Sequence, residues 1–233
     1  YYGVKDYDLG ENEIGKEDNS DSCVSRLVNH FSDYKRVIKK DGTLWINLGD
    51  SMIVKSYKLL PERFALNMMV DGWILHDRIV WAKPNPMYTD GKRSVNSTEQ
   101  IFVFKKNAYC KFQINWLEKY KLTGKITYGH QGKGIKLKSF FDFRDNVIIT
   151  NTANNHNLSE ACKKEDIHLT HSATFPITIP IIAILTGSDI GDTILDPFSG
   201  TATTGKACQI LERNYVGYEL NPTYMKQGEI RLK

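Results

Sequence analysis

The residues best suited to chemistry gather near the C-terminal end of this chain. Ile194-Leu195-Asp196-Pro197-Phe198-Ser199-Gly200-Thr201-Ala202-Thr203-Thr204-Gly205-Lys206-Ala207 reads as a strand, a turn of small residues and a helix. Such a turn lets a ligand approach the backbone N–H groups at a helix N-terminus. Gly200 through Lys206 also spells G-x-x-x-x-G-K, the core of a phosphate-binding loop. A nucleotide hydrolase built on that loop needs Ser or Thr next, to hold magnesium, and a later strand ending in a magnesium-binding Asp. Ala207 stands at the first position, and the 26 residues after it show no convincing strand of the second kind. The four cysteines, Cys23, Cys110, Cys162 and Cys208, include no C-x-x-C pair, so neither a zinc ribbon nor a dithiol redox site is supported. They read as free thiols in a reducing compartment. Of the six histidines, His168 and His171 are three apart but have no carboxylate-rich company, so no metal site is expected.

The elements that must position this turn follow from patterning. The helix expected over residues 21–40 places Val24, Leu27, Val28, Phe31 and Ile38 near one face, with Asp41-Gly42 turning the chain. Strands are expected at Thr43–Leu48, at Trp73–Ala82 as one strand or a pair, and at Ile101–Phe104 and Asn146–Ile149. A helix starts near Pro61, a favoured first helical residue. Pro84-Asn85-Pro86 opens a polar loop to Thr98, and the Asn-rich stretch Asn151–Asp166 reads as a second, mobile loop. Pro176–Leu185 reads as an apolar helix, Thr193–Leu195 as a strand, Thr203–Leu211 as a helix and Tyr215–Tyr218 as a strand. Asn221-Pro222 begins a last short helix. Strands alternating with helices at both ends predict an α/β fold with a doubly wound, Rossmann-like sheet.

Composition sets the outer bounds. The chain has 233 residues, 41% hydrophobic and 25% charged, with a net charge of +4. Its 26 aromatics need burial, which excludes disorder as a class. The longest apolar stretch, near Ile177–Leu185, is interrupted by Thr178 and Pro180 and is shorter than the roughly 17 residues a membrane span requires. No signal-peptide pattern opens the chain. The modest net charge hides an asymmetry. Residues 105–144 hold ten basic and two acidic residues, a balance of +8 against −4 for the remainder, and interleave them with eight aromatics and four glycines. Such a segment suits a nucleic-acid surface, in which lysines neutralise phosphates and aromatics stack on bases. A solvated Lys-rich insertion whose aromatics form a small core of their own fits equally well. The expected organisation is a main domain from residues 1–104 and 145–233, with 105–144 inserted as a basic recognition region.

Several stretches together resemble one family. Asp196-Pro197-Phe198-Ser199-Gly200 is similar to the D-P-F-x-G turn of β-class DNA amino-methyltransferases, which bind S-adenosylmethionine. Glu219 lies 23 positions after Asp196, at the end of the next strand, a spacing that suits the hydroxyls of the adenosyl ribose. Asn221-Pro222 follows as in the family's E-x-N-P variant. Ala202 stands where the family usually has a second glycine. His171-Ser172-Ala173-Thr174-Phe175-Pro176 resembles the H-x-A-T-F-P segment that lines the methionine end of the cofactor. Leu44–Ser51 and Trp81–Pro86 are similar to the central-strand motifs. Tyr1-Tyr2-Gly3-Val4-Lys5-Asp6-Tyr7 resembles the continuation of S-P-P-Y-(W/Y)-G-x-(K/R)-D-Y. The chain opens without Met, and the resemblance implies that it begins just after a catalytic Ser/Asp-Pro-Pro. The likeness covers nearly all of the chain outside residues 107–142.

The resemblance implies a mostly parallel sheet with one antiparallel strand and an order of catalytic segment, recognition insertion, then cofactor turn. It implies methyl transfer to an exocyclic amino group of a base flipped out of double-stranded DNA, cytosine N4 first and adenine N6 second. Tyr1 takes the stacking position against that base; Tyr2, Lys83 and Asn85 are candidates for the base pocket. Thr174, Phe175, Pro176, Asp196, Phe198, Gly200, Glu219 and Asn221 are the candidate cofactor residues. Lys119, Lys121, Lys125, Lys133, Lys136 and Lys138 are the candidate DNA contacts. No Cys follows a Pro, which counts against the nucleophile used for methylation at ring carbon 5. A cognate restriction endonuclease and a homodimer are the partners compatible with the family, with a cytoplasmic, nucleoid-associated location in a bacterium or archaeon and no membrane attachment. The readings from other classes are a non-catalytic DNA-binding module or fragment and the phosphate-loop hydrolase.

Overall fold

The computed structural model describes residues 2–3, 6, 9–54, 56–86, 94–114, 146–168 and 174–233. They form two compact units. One takes the described residues of Tyr1–Ala82, Thr89–Lys111 and Asp142–Ile148; the other takes those of Lys83–Tyr88, Phe112–Phe141 and Ile149–Lys233.

In the first unit, helix α1 (Ser20–Ser32) starts at Asn19, whose side chain accepts from the Ser22 N–H at 2.9 Å. Its Val24, Val28 and Phe31 are buried on one face. The single helix expected over 21–40 is instead α1 followed by a short α2 (Tyr34–Val37). It ends before the Asp41-Gly42 turn because Ile38 turns extended and the Lys106 ammonium donates to the carbonyls of Lys35 and Ile38. A cation from a segment distant in sequence thus terminates the helix at its negative end.

Strand β1 (Thr43–Leu48) is followed by the small hairpin β2 (Met52–Ile53) and β3 (Ser56–Tyr57). Helix α3 (Leu60–Val70) comes next. Asp50 organises this connection. Its carboxylate accepts from the Leu59 and Leu60 N–H groups at 3.0 Å each and from that of Ser51 at 2.9 Å. The helix therefore has a cap although its own N-cap residue, Leu59, supplies none. Strands β4 (Ile74–Ala82), β5 (Thr98–Lys105) and β6 (Val147–Ile149) complete a four-stranded sheet in the order β1-β5-β4-β6. β4 is one strand, bulged between Leu75 and Asp77. β5 runs antiparallel to both β1 and β4, so those two point the same way. Ile101-Phe102-Val103-Phe104 is buried without interruption, as a central strand covered on both faces must be. The core joins Phe102 and Phe104 to Val24, Val28 and Phe31 of α1, Phe64 and Met68 of α3, and Trp73. Fully burying a side chain such as Phe64 stabilises by roughly 1.5–3 kcal/mol.

The second unit runs α4 (His156–Lys164), α5 (Thr178–Gly187), β7 (Thr193–Asp196), α6 (Thr203–Ile210), β8 (Asn214–Gly217) and α7 (Pro222–Leu232). β7 and β8 pair in parallel across α6, with Asp196 opposite Gly217. The loop expected over Asn151–Asp166 is corrected by α4. Leu158 and Cys162, four residues apart, are buried with Ile230 of α7. That two-point apolar face is too small to register as a helical pattern among the surrounding asparagines and lysines, but it suffices once α7 is beside it. α5 is buried nearly all round, which explains its uniformly apolar sequence. The α/β class expected from the alternation is the class of the described fold. Cys23, Cys162 and Cys208 are buried free thiols, and Cys110 is half-buried. No described helix is long and apolar enough to cross a membrane, and no metal-binding group occurs among the described residues.

Candidate functional site

The second unit builds its site where β7 and β8 end side by side. The Tyr218 N–H donates to the Asp196 carbonyl and the Ser199 N–H to the Tyr218 carbonyl, each at 2.9 Å, so the turn after β7 folds over the end of β8. Gly200 sits in the left-handed region, φ 52°. Glu219 then fastens the turn. One carboxylate oxygen accepts from the Gly200 N–H at 2.7 Å, the other from the Asn221 N–H at 2.8 Å. Each oxygen takes one donor among the described residues, leaving acceptor capacity on both. Asp196 accepts from the Phe198 N–H at 3.0 Å. Burial pushes its carboxyl above the usual range, opposed by the Thr204 hydroxyl and the Phe198 N–H and reinforced by the nearby Glu219 charge. Phe198 is 48% exposed. Ser199 shares a hydrogen bond of 2.7 Å with the Tyr215 hydroxyl, and burial pushes the Tyr215 phenol up as well.

Ala202, at the position where a glycine was expected, is also left-handed, with φ 55° and ψ 41°, and is 4% exposed. The space for its methyl comes from Gly228 on α7: a Cβ built there would lie 3.2 Å from that of Ala202. Thr174, Phe175 and Pro176 are half-buried on the approach to α5, and the Pro176 carbonyl accepts from the Ile179 N–H at 3.1 Å. Thr174 Oγ1 accepts from Asn155 Nδ2 at 2.6 Å. Asn155 Oδ1 accepts from Arg231 Nη2 at 3.0 Å, and the same nitrogen donates to Thr201 Oγ1 at 3.0 Å. Patterning gave no hint of Asn155, Thr201, Gly228 or Arg231. Thr201 lies inside the glycine turn at a position no motif specifies, the other three belong to no motif, and the fold alone relates them.

The other expected site residues fall as follows. Asn221 caps α7, its Oδ1 accepting from the N–H groups of Thr223 at 2.9 Å and Tyr224 at 3.3 Å. Asn85 is exposed and pairs twice with Thr152: Nδ2 donates to its Oγ1 and Oδ1 accepts from its N–H, both at 3.0 Å. Lys83 is half-buried in the same unit. Tyr2 is half-buried against the core of the first unit. Tyr1, His171 to Ala173, and Lys119, Lys121, Lys125, Lys133, Lys136 and Lys138 lie outside the described residues. Lys105 and Lys106, at the start of the basic segment, donate to carbonyls of the first unit.

Comparisons with known proteins place the chain in a family. A family model for N6 and N4 methyltransferases, described as DNA methylase, matches residues 1–229. The type II methyltransferase M.Cfr9I of Citrobacter freundii is 32% identical over the whole of this chain and 78% of its own length. M.SmaI of Serratia marcescens, another type II methyltransferase, is 31% identical over the whole chain and 81% of its own length. Among solved structures, the cytosine-N4-specific PvuII DNA methyltransferase matches with a TM-score of 0.72 at 18% identity, covering 96% of this chain and 74% of that one. The complex of M1.HpyAVI with S-adenosylmethionine matches with a TM-score of 0.57 at 21% identity, covering 88% of this chain and 82% of that one. The chain belongs to the N6/N4 family of DNA methylases. It is a DNA methyltransferase, and S-adenosylmethionine is the cofactor in the M1.HpyAVI complex. The described residues fit that cofactor: a carboxylate with spare acceptor capacity, an exposed aromatic face and a backbone turn of small residues converge at the ends of β7 and β8.

Proposed function

We propose that the protein methylates the N4 amino group of cytosine in a specific duplex sequence. The opening Tyr1-Tyr2-Gly3-Val4-Lys5-Asp6-Tyr7 carries this reading, because it resembles S-P-P-Y members of the family, many of which act on cytosine. The fold likeness to a cytosine-N4-specific enzyme supports it. When bound, S-adenosylmethionine supplies an electrophilic methyl on a sulfonium centre. Glu219 accepts from the ribose hydroxyls with the acceptor capacity its two backbone bonds leave. Phe198 offers its exposed face to the adenine. Gly200 lets the backbone come close, and Asp196 with Thr174, Phe175 and Pro176 holds the methionine end. Asn221 serves by capping α7 and so holding the backbone after Glu219.

The acceptor nitrogen cannot reach the methyl from within a stacked duplex, so the base is flipped out and Tyr1 stacks on it, an interaction worth roughly 1–3 kcal/mol per base. Tyr2, Lys83 and Asn85 border the base. Held so, the amino nitrogen would take the methyl as the methyl–sulfur bond breaks to leave a neutral thioether, its proton would pass to water, and positioning would supply most of the acceleration. Residues 105–144 form the recognition region between the two parts of the catalytic domain, 1–104 and 145–233, with Lys119, Lys121, Lys125, Lys133, Lys136 and Lys138 on phosphates. A cognate restriction endonuclease is the partner this activity suits, since methylation then protects the host's own sites. Labelled S-adenosylmethionine and random-sequence duplexes, followed by digestion to nucleosides, test the target. N4-methylcytosine is expected, and N6-methyladenine as the sole product overturns the choice of base.

A further inference from the structure

Thr174 and Thr201 lie 27 positions apart, on the segment before α5 and in the glycine turn, yet one chain of hydrogen bonds ties them together. It runs from Thr174 Oγ1 to Asn155 Nδ2, from Asn155 Oδ1 to Arg231 Nη2, and from that nitrogen to Thr201 Oγ1. Two features show that these side chains do more than complete their own helices. Asn155 occupies the N-cap of α4, a position where asparagine is favoured because its oxygen can accept from the first turn, yet its side chain makes no capping bond. Both of its polar atoms are used in the bridge instead. Arg231 directs a guanidinium to two neutral acceptors, the Asn155 amide and the Thr201 hydroxyl, and its Nε is buried with no hydrogen-bond partner among the described residues. A cation held on neutral oxygens contributes less to stability than one paired with a carboxylate. Its Nη2 alone donates to both acceptors, so a single nitrogen ties the two segments together. α4 is held against α7 by Leu158, Cys162 and Ile230, so the bridge rests on a packed base.

We propose that Asn155 and Arg231 are positioning residues for the cofactor site, locking the Thr174 segment to the glycine turn so that both ends of S-adenosylmethionine meet preset partners. This rests on the cofactor reading given above. Removing the bridge leaves each segment intact but frees one to move against the other, and a loss in cofactor affinity follows.

The test measures S-adenosylmethionine affinity by calorimetry and turnover at saturating cofactor on the full chain. Asn155→Ala is expected to weaken affinity by about tenfold or more, the scale seen when a group supporting a binding site is removed, with a smaller effect on kcat. Asn155→Asp is expected to stay within about threefold of the parent, because a carboxylate can accept from both Arg231 and the Thr174 hydroxyl. Arg231→Met, which keeps a long unbranched side chain but has no donor, makes the same comparison where Asn155→Ala does not fold. Unchanged affinity in Asn155→Ala or Arg231→Met with a lowered melting temperature overturns the proposal, as does an Asp variant no better than the Ala variant. Glu219→Ala is the reference: if it too leaves affinity unchanged, the assignment of the cofactor residues fails, and the bridge falls with it.

Discussion

Gly228 and Ala202 form a pair in which each residue makes the other tolerable. The perturbation is Gly228→Ala. The added Cβ would lie 3.2 Å from the Ala202 Cβ and 3.5 Å from both the Ala202 N and the Gly200 O. Ala202 cannot easily retreat, because its N–H donates to the Ser199 carbonyl at 2.8 Å and its carbonyl accepts from the Lys206 N–H at 3.0 Å. Overpacking costs about 1–3 kcal/mol, and the better helix propensity of Ala returns about 0.5–1, so a net loss of about 1–2 kcal/mol is expected. Ala202→Gly relieves a left-handed alanine, about 1 kcal/mol, but gives up a buried methyl worth about 0.8 and loosens the unfolded chain by about 0.4–1. Its net effect is a loss of about 0.5 kcal/mol. With Ala202→Gly in place, the shortest approach of the new methyl disappears and the two at 3.5 Å are ordinary. The double variant should therefore lie within about 0.5 kcal/mol of the parent, where independent effects would sum to a loss of about 2. Urea unfolding of the four proteins reads the coupling, and S-adenosylmethionine affinity should fall in Gly228→Ala and recover in the double variant. Additivity within about 0.5 kcal/mol refutes the contact, and an affinity that ignores it refutes the link from α7 to the turn.

Other outcomes follow from the same geometry. Glu219→Ala should weaken S-adenosylmethionine binding about ten- to hundredfold, the loss of charge-assisted bonds to two hydroxyls, and unchanged affinity by calorimetry contradicts its role. Asp196 has a raised carboxyl pKa in the fold, so its contribution to stability is fully present below the ordinary carboxylate range and is lost as pH rises through the raised value. Unfolding measured across that range should show the parent losing stability relative to Asp196→Asn, and parallel profiles contradict the shift. Asp50→Ala removes the acceptor of the Ser51 N–H and of two N–H groups at the start of α3 and should destabilise by about 1–2 kcal/mol in chemical denaturation. Reversing three charges among Lys119, Lys121, Lys125, Lys133, Lys136 and Lys138 should lower the salt slope of duplex binding by about 0.9 for each phosphate no longer neutralised, whereas an unaltered slope moves recognition elsewhere.

Much of this protein was legible without coordinates, and the legible parts share a cause. Thr43–Leu48 is a strand in the expected place because apolar and β-branched residues run up to a Gly-Asp stop, a purely local signal. Pro61 and Pro222 mark helix starts because a missing N–H costs nothing there. The D-P-F-x-G turn and the carboxylate 23 positions after its Asp were readable because a parallel strand pair with a crossover helix spaces them that way.

Tertiary structure decided what no local signal encodes. It made a helix of 156–164, at the end of an Asn-rich stretch, through two buried side chains, stopped α2 with a lysine just beyond β5, and set Tyr2 against the first core. It placed β5 between β1 and β4, antiparallel to both, a pairing of segments far apart in the chain that patterning along any one of them cannot specify. It gave Glu219 a latch on Gly200, turned Asn221 into a helix cap and opened a space at Gly228 for the methyl of Ala202. Above all it joined Asn155 to Arg231 across 76 positions. Sequence determines which groups a short segment offers; only the packed fold determines which distant group each one meets, because that depends on every intervening element being in place at once.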